Sequence, residues 1–110
     1  MSGFKGGNGN MQNLMRQAQK MQEDMARLQE ELDAREYTAT AGGGAVTAVV
    51  DGKHKVKSLE IKPEVVDPED VEMLADLVAA AVNEAIRQAG ETSETEMAKI
   101  TGGAGLPGMF

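Results

Sequence analysis

The chain has 110 residues, no cysteine, no tryptophan and a formal net charge of −7, from 11 basic and 18 acidic residues. That length holds one small domain. Without cysteine there is no disulfide frame, no thiolate nucleophile and no zinc site of the cysteine type, and a lone His54 excludes a multi-histidine metal cage. Taken whole, the acidic balance argues against nucleic-acid binding, and three aromatic residues, Phe4, Tyr37 and Phe110, are too few for a base-stacking platform.

The first ten residues carry Gly3, Gly6, Gly7 and Gly9 and no apolar run of a signal peptide, and they read as a disordered tail over 1–10. Periodicity starts at Met11. Met11, Leu14, Ala18, Met21, Met25, Leu28 and Leu32 alternate spacings of three and four, a coiled-coil-like seam with Met15 beside it. It predicts a long helix over 11–35 with Asn10 as its cap. The seam is narrow, so it fits one partner element along its length. Tyr37-Thr38-Ala39-Thr40 then alternates as a strand, Gly42-Gly43-Gly44 interrupts, and 45–50 is again strand-like. Asp51-Gly52 signals a tight hairpin with glycine at positive φ, and 53–61 is the return strand.

Pro63 closes the sheet, and Asp67-Pro68-Glu69-Asp70 opens a second helix with Asp67 as N-cap and Pro68 at its first position. Val71, Leu74, Leu77, Val78, Ala81, Val82, Ala85, Ile86 and Ala89 form a face broad enough for the sheet and more besides. Ala79-Ala80-Ala81 would permit close backbone approach, and Gly90 would kink or weaken the helix. The Gly-rich stretch 102–110 reads as a flexible C-terminal tail, leaving a single domain over 11–101. The fold expected is α+β in the order α-β-β-β-α, with a small three-stranded antiparallel sheet between two long helices. The seam of the first helix is not satisfied by that core, so burial across a two-fold axis in a homodimer is expected. No apolar run approaches the ~18–20 residues of a membrane span, and a cytoplasmic chain without membrane association is the reading.

Catalytic and metal chemistry find no foothold. The one conceivable serine–histidine pair, Ser58 with His54, needs both on one strand face; His54 is more simply a solvated residue near a hairpin end. The acids of 67–76 are spaced for a helix N-terminus and not for a calcium loop. Gly6-Gly7-Asn8-Gly9 lacks the Lys-Ser/Thr of a phosphate loop. No enzyme, no metal and no cofactor is expected.

Charge is distributed unevenly. Residues 1–62 sum to +1 and residues 63–110 to −8. Arg16, Lys20 and Arg27 fall on one face of the first helix, away from the seam. Lys53, Lys55 and Lys57 alternate onto one face of the hairpin. These faces could contact phosphates, or they could be solvated surfaces laced with the pairs Lys20–Glu23, Lys20–Asp24, Arg27–Glu30 and Arg27–Glu31. On the residues alone the second is the plainer reading.

The segments MQNLMRQAQKMQEDMARLQEEL, GGGAVTAVVDGKHKVKSLEIKPEVV, DPEDVEMLADLVAAAVNEAI, EMAKITGG and LPGMF, in that order, resemble the YbaB/EbfC family of bacterial nucleoid-associated proteins. The resemblance implies a tweezer-like cytoplasmic homodimer with a central β core and projecting helical arms. It would bind double-stranded DNA without a cofactor or small-molecule substrate, in nucleoid organisation and gene regulation. Contact by the arms, carried to this chain, falls on Arg16, Lys20 and Arg27 of the first helix and on Arg87 and Lys99 of the later helical segment. The competing class is a prefoldin-like chaperone, in which two helices flanking hairpins hold unfolded clients and the Met-rich seam serves as the adaptable surface. The LPGMF end could be a docking peptide or an unbound tail.

Overall fold

The computed structural model describes residues 2–102, with side chains from residue 10 onward. The order is the expected α-β-β-β-α: α1 (Ser2–Ala34), β1 (Glu36–Ala41), β2 (Val46–Asp51), β3 (Val56–Ile61), a short 3₁₀ turn at Pro63–Val65, and α2 (Val71–Gly102). The molecule is elongated, with extents of 84 × 27 × 16 Å. Among the described residues no helix is long and apolar enough to cross a membrane.

α1 is already formed at Ser2, so Asn10 lies inside the helix and does not cap it, and 2–10 is helical where a disordered tail was expected. Extending an existing helix adds one hydrogen bond per residue fixed, whereas a new helix must first pay for its nucleus. The expected C-terminal tail lies, but for Gly102 at the end of α2, outside the described residues.

The sheet is antiparallel throughout, in the order β1-β2-β3. Alternation sends Tyr37 and Ala39 of β1 and Val46, Ala48 and Val50 of β2 to one buried face. α2 lies on that face. Leu74, Leu77, Val78 and Val82 pack around Val46, Ala48 and Ala81, and Ile86 packs on the cluster of Tyr37, Ala39, Val50, Ala85 and Ala89. Close approach is made by Ala81, Ala85 and Ala89, all buried and spaced one turn apart, while Ala79 and Ala80 face solvent. The positions that meet the sheet are set by the 3.6-residue period and not by the run of three alanines.

α2 starts later than expected. Asp67 uses its carboxylate to accept from the Glu69 N–H (2.9 Å), and its carbonyl accepts from the Asp70 N–H (2.9 Å), which closes a turn ahead of the helix. Asp70 is the cap, accepting from the Met73 N–H at 3.1 Å. The helix then runs unbroken through Gly90, where a Cβ would meet nothing within 4 Å. The packed alanines at 85 and 89 hold the helix across a residue that costs only about 1 kcal/mol relative to alanine.

The hairpin between β2 and β3 also differs from expectation. His54, not Gly52, has the positive φ (68°). The Asp51 carboxylate accepts from the N–H groups of Lys53 and Lys55, both at 2.9 Å, and the His54 N–H donates to the Asp51 carbonyl at 3.0 Å. Gly52 is needed for another reason: its N–H donates to the Asp33 carbonyl at the end of α1 (3.2 Å), and a Cβ there would sit 1.9 Å from the Leu32 carbonyl oxygen. Gly42, Gly43 and Gly44, at φ of 63°, 67° and 92°, form the tight β1–β2 loop.

Two apolar surfaces are left open. Leu59 and Ile61 pair with Ala48 and Val46 and so lie on the α2 side of the sheet, yet α2 packs chiefly on β1 and β2. They remain 39 % and 38 % exposed. The α1 seam, expected to await a second subunit, is partly covered within the chain: Leu32 is buried, and Leu28, Met25 and Met21 are half-buried where α2 packs on α1. Its distal end is bare.

Candidate nucleic-acid interface

Helical period places Arg16, Lys20 and Arg27 on one α1 face, opposite Met11 and Ala18, and all three are exposed. With Glu23 and Asp24 they line one shallow surface groove. Asp24 bridges two of them, with Lys20 Nζ at 3.4 Å from Oδ2 and Arg27 Nη1 at 3.5 Å from Oδ1. Long, solvent-facing pairs of this kind contribute ~0.2–1 kcal/mol, so a phosphate can displace them. Among the described residues Arg16 is in no ion pair. Of the four pairings considered from the sequence, only Lys20–Asp24 forms; Arg27 turns to Asp24 in place of Glu30 or Glu31.

Lys99 joins this region from α2. Its Nζ bonds Glu96 Oε2 at 2.7 Å, and Glu96 Oε1 receives Arg35 Nη2 at 3.4 Å. Glu96 thus ties the end of α1 to α2, and the Lys99 hydrogen bond and charge, then Arg35, hold its carboxyl below the usual range against partial burial. Lys99, Glu96 and Ile100 share a groove with Arg27, Leu28 and Asp24. The unbroken α2 therefore brings Lys99 beside the α1 stripe.

Arg87 stands apart. It is clamped within its own helix by Glu84, at 2.9 Å from Nε and 2.7 Å from Nη2, and by Glu91 at Nη1. The hydrogen bond and charge of Glu84, then those of Glu91, raise its affinity for its proton further, and Glu84 is correspondingly lowered, chiefly by the Arg87 hydrogen bond. Two carboxylates already satisfy this guanidinium. The hairpin lysines do not alternate as a strand face, because Lys53 and Lys55 sit in the turn and only Lys57 is on β3. His54 is exposed in the same turn and not on β3, so no strand face pairs it with Ser58. Among the described residues no cluster of three or more histidines, cysteines or carboxylates could hold a metal ion.

Charge is divided most sharply within α1 itself. Residues 1–22 carry Lys5, Arg16 and Lys20 and no acid, whereas 23–36 carry six acids against Arg27 and Arg35. The distal half of α1 is thus uniformly basic, and the acids gather where α1 meets α2. Counting charges by half-helix would have found this in the sequence.

Among the described residues a helical arm projecting from a small sheet carries exposed cations on one face, an arrangement suited to contact with an extended polyanion. The YbaB/EbfC DNA-binding family model matches residues 7–104, and the chain belongs to that family. It is 60 % identical over 109 residues to a nucleoid-associated protein of Acetivibrio thermocellus, covering 98 % of this chain and 96 % of that one. It is 58 % identical over 105 residues to a nucleoid-associated protein of Clostridium kluyveri, covering 96 % and 92 %. In fold it is similar to an uncharacterised Helicobacter pylori protein seen in a crystal structure, with a TM-score of 0.67 at 20 % identity over 80 % of this chain and 92 % of that one.

Proposed function

We propose that the protein is a nucleoid-associated homodimer that grips double-stranded DNA through phosphate contacts from its helical arms. The observation that carries this reading is the acid-free basic stretch at the distal end of α1, with Arg16 and Lys20 exposed on one face. Arg16 and Lys20 make the main contacts, Arg27 and Lys99 flank them, and Arg87, already neutralised by Glu84 and Glu91, contributes least. Phosphate contacts carry no sequence information themselves, so sequence preference is weak and is confined to the shape and deformability of the duplex held between two arms. Leu59 and Ile61, exposed on the core side of the sheet, supply the dimer contact. The setting is the bacterial cytoplasm and nucleoid, with roles in nucleoid organisation and gene regulation. Binding of this kind needs no cofactor, metal or small-molecule substrate, and no catalytic step is involved.

Salt dependence tests it. Six phosphate contacts, from Arg16, Lys20 and Arg27 in each of two subunits, give a slope of log K against log salt of about −5. Replacing Arg16 and Lys20 by alanine removes four and flattens the slope to about −2. A duplex titrated by fluorescence anisotropy between about 50 and 200 mM salt reads both numbers. Binding absent at the low end, insensitive to salt, or unchanged in the double variant defeats the proposal. The exposed Met11, Leu14 and Met15 favour one other reading, a prefoldin-like client binder; it would suppress aggregation of a denatured enzyme and ignore DNA.

A further inference from the structure

The distal α1 seam is apolar and uncovered. Met11, Leu14 and Met15 are 63 %, 63 % and 66 % exposed, whereas the same seam is closed at Leu32. The difference is where α2 stops. α2 runs antiparallel to α1: Glu96 pairs with Arg35, Lys99 and Ile100 share a groove with Arg27 and Leu28, and Ile100 reaches Gln17 and Met21. Gly102 is therefore level with the last covered turns of the seam, and the axis of α2 points toward the bare ones.

Residues 103–110 follow, GAGLPGMF. Their length fits the gap. Leu14 and Met11 lie about 5–15 Å beyond the Gln17–Met21 level at 1.5 Å per residue, and the four residues from Gly102 to Leu106 span up to about 13 Å when extended. Their composition fits as well. Pro-Gly, here Pro107-Gly108, is the pair a type II turn prefers at its two central positions, and such a turn would bring the Cα atoms of Leu106 and Met109 within about 7 Å. Leu106, Met109 and Phe110 would then form one apolar group of a size to cover three side chains, and the segment carries no charged side chain to desolvate. Methionine on both sides suits an irregular contact.

We propose that residues 106–110 fold back onto Met11, Leu14 and Met15 of the same chain and complete the seam that α2 leaves open. A short tether holds the segment at millimolar effective concentration, which favours its own chain over a second copy at micromolar protein. The seam is the face opposite Arg16 and Lys20, so the contact leaves the basic stripe free and its test does not depend on DNA.

The absence of native cysteine makes the test direct. In the full chain, Leu14→Cys with Met109→Cys should form an intrachain disulfide under mild oxidation about ten-fold faster than Asn13→Cys with Met109→Cys, whose first position lies on the other side of α1, because only the former pair is held together. Equal rates overturn the proposal. So does equally fast cross-linking between separate chains carrying Leu14→Cys alone and Met109→Cys alone. A second measurement leaves the patch intact: peroxide should oxidise Met11 and Met15 several-fold faster after Leu106→Ser with Phe110→Ser than in the unsubstituted chain. Unchanged oxidation overturns the proposal as well.

Discussion

Gly52→Ala should open the joint between α1 and the β2–β3 hairpin. The new Cβ would lie 1.9 Å from the Leu32 carbonyl oxygen, 2.6 Å from its carbonyl carbon and 2.8 Å from Asp33 Cα, all backbone atoms that no rotamer change can move aside. Relief requires hairpin and helix to part. Parting breaks the 3.2 Å hydrogen bond from the Gly52 N–H to Asp33, worth ~0.5–1.5 kcal/mol. It also lifts Leu32, 2 % exposed and among the largest fully buried side chains, out of its site, at a cost of ~1.5–3 kcal/mol if complete. The expected destabilisation is therefore about 2–4 kcal/mol, a fall in Tm of roughly 10–20 °C for a domain this size. Urea unfolding followed by circular dichroism, at matched protein concentration, measures it. Gly43→Ala is the control, since a Cβ there meets nothing within 4 Å and only the positive φ of 67° is strained, costing ~1–2 kcal/mol. A Gly52→Ala protein within about 0.5 kcal/mol of the parent would refute the close-contact argument.

Other consequences can be measured alongside. Tyr37→Phe should leave stability unchanged or raise it by up to about 1 kcal/mol, because the buried Tyr37 hydroxyl has no partner among the described residues; a loss above about 1 kcal/mol would mean that the assembled protein supplies one. The Asp51 carboxyl is lowered, first by the Lys55 N–H, then by the Lys53 N–H and the charges of Lys57 and Lys55, against a desolvation that raises it. A carboxyl lowered on folding contributes stability above its unfolded value, about 3.9, and loses it as pH falls through the folded value. Asp51→Asn should therefore be less stable than the parent at pH 7 and converge with it at pH ~2; a constant difference across that range would contradict the assignment. If the proposed dimer contact runs through Leu59, Leu59→Glu should give a monomer by analytical ultracentrifugation at micromolar concentration while the unsubstituted chain is a dimer, whereas Thr40→Glu, on the opposite and polar face of the sheet, should not. A Leu59→Glu dimer would move the interface elsewhere.

Elements whose evidence is periodic were legible from the sequence. The three-four spacing from Met11 to Leu32 and the broad apolar face from Val71 to Ala89 each mark a helix, because burial of a helix face imposes that period. Their ends were not, because a cap depends on which carboxylate is free to accept: Asp67 spends its own on a turn, leaving Asp70 to cap α2. The hairpin glycine is required by close contact and not by the positive φ its Asp-Gly sequence suggests. A contact between Gly52 and the end of α1, 20 residues earlier at Leu32, leaves no local signal. Coverage of the seam by α2 is equally non-local, and it converted half of an expected intersubunit surface into an internal one. The basic face of α1 followed from helical geometry, while the sorting of its partners did not. Arg27 chooses Asp24 over Glu30 and Glu31, and Arg87 collects two glutamates, through side-chain placement that spacing alone leaves degenerate.

The anchoring of α1 at Leu32 and Gly52 has a mechanical consequence. Arg16 lies sixteen residues up the helix from Leu32, about 24 Å at 1.5 Å per residue. The helix is thus a lever anchored at its base by this joint and braced by α2 as far as Met21. A rotation of about 10° at the fulcrum swings Arg16 through ~4 Å, slightly more than the ~3.4 Å axial step between successive phosphates of one strand. On the proposed DNA reading, the backbone-to-backbone contact at Gly52, small enough to exclude a methyl group, and the packing of α2 as far as Met21 together set where the far end of the arm falls along the duplex.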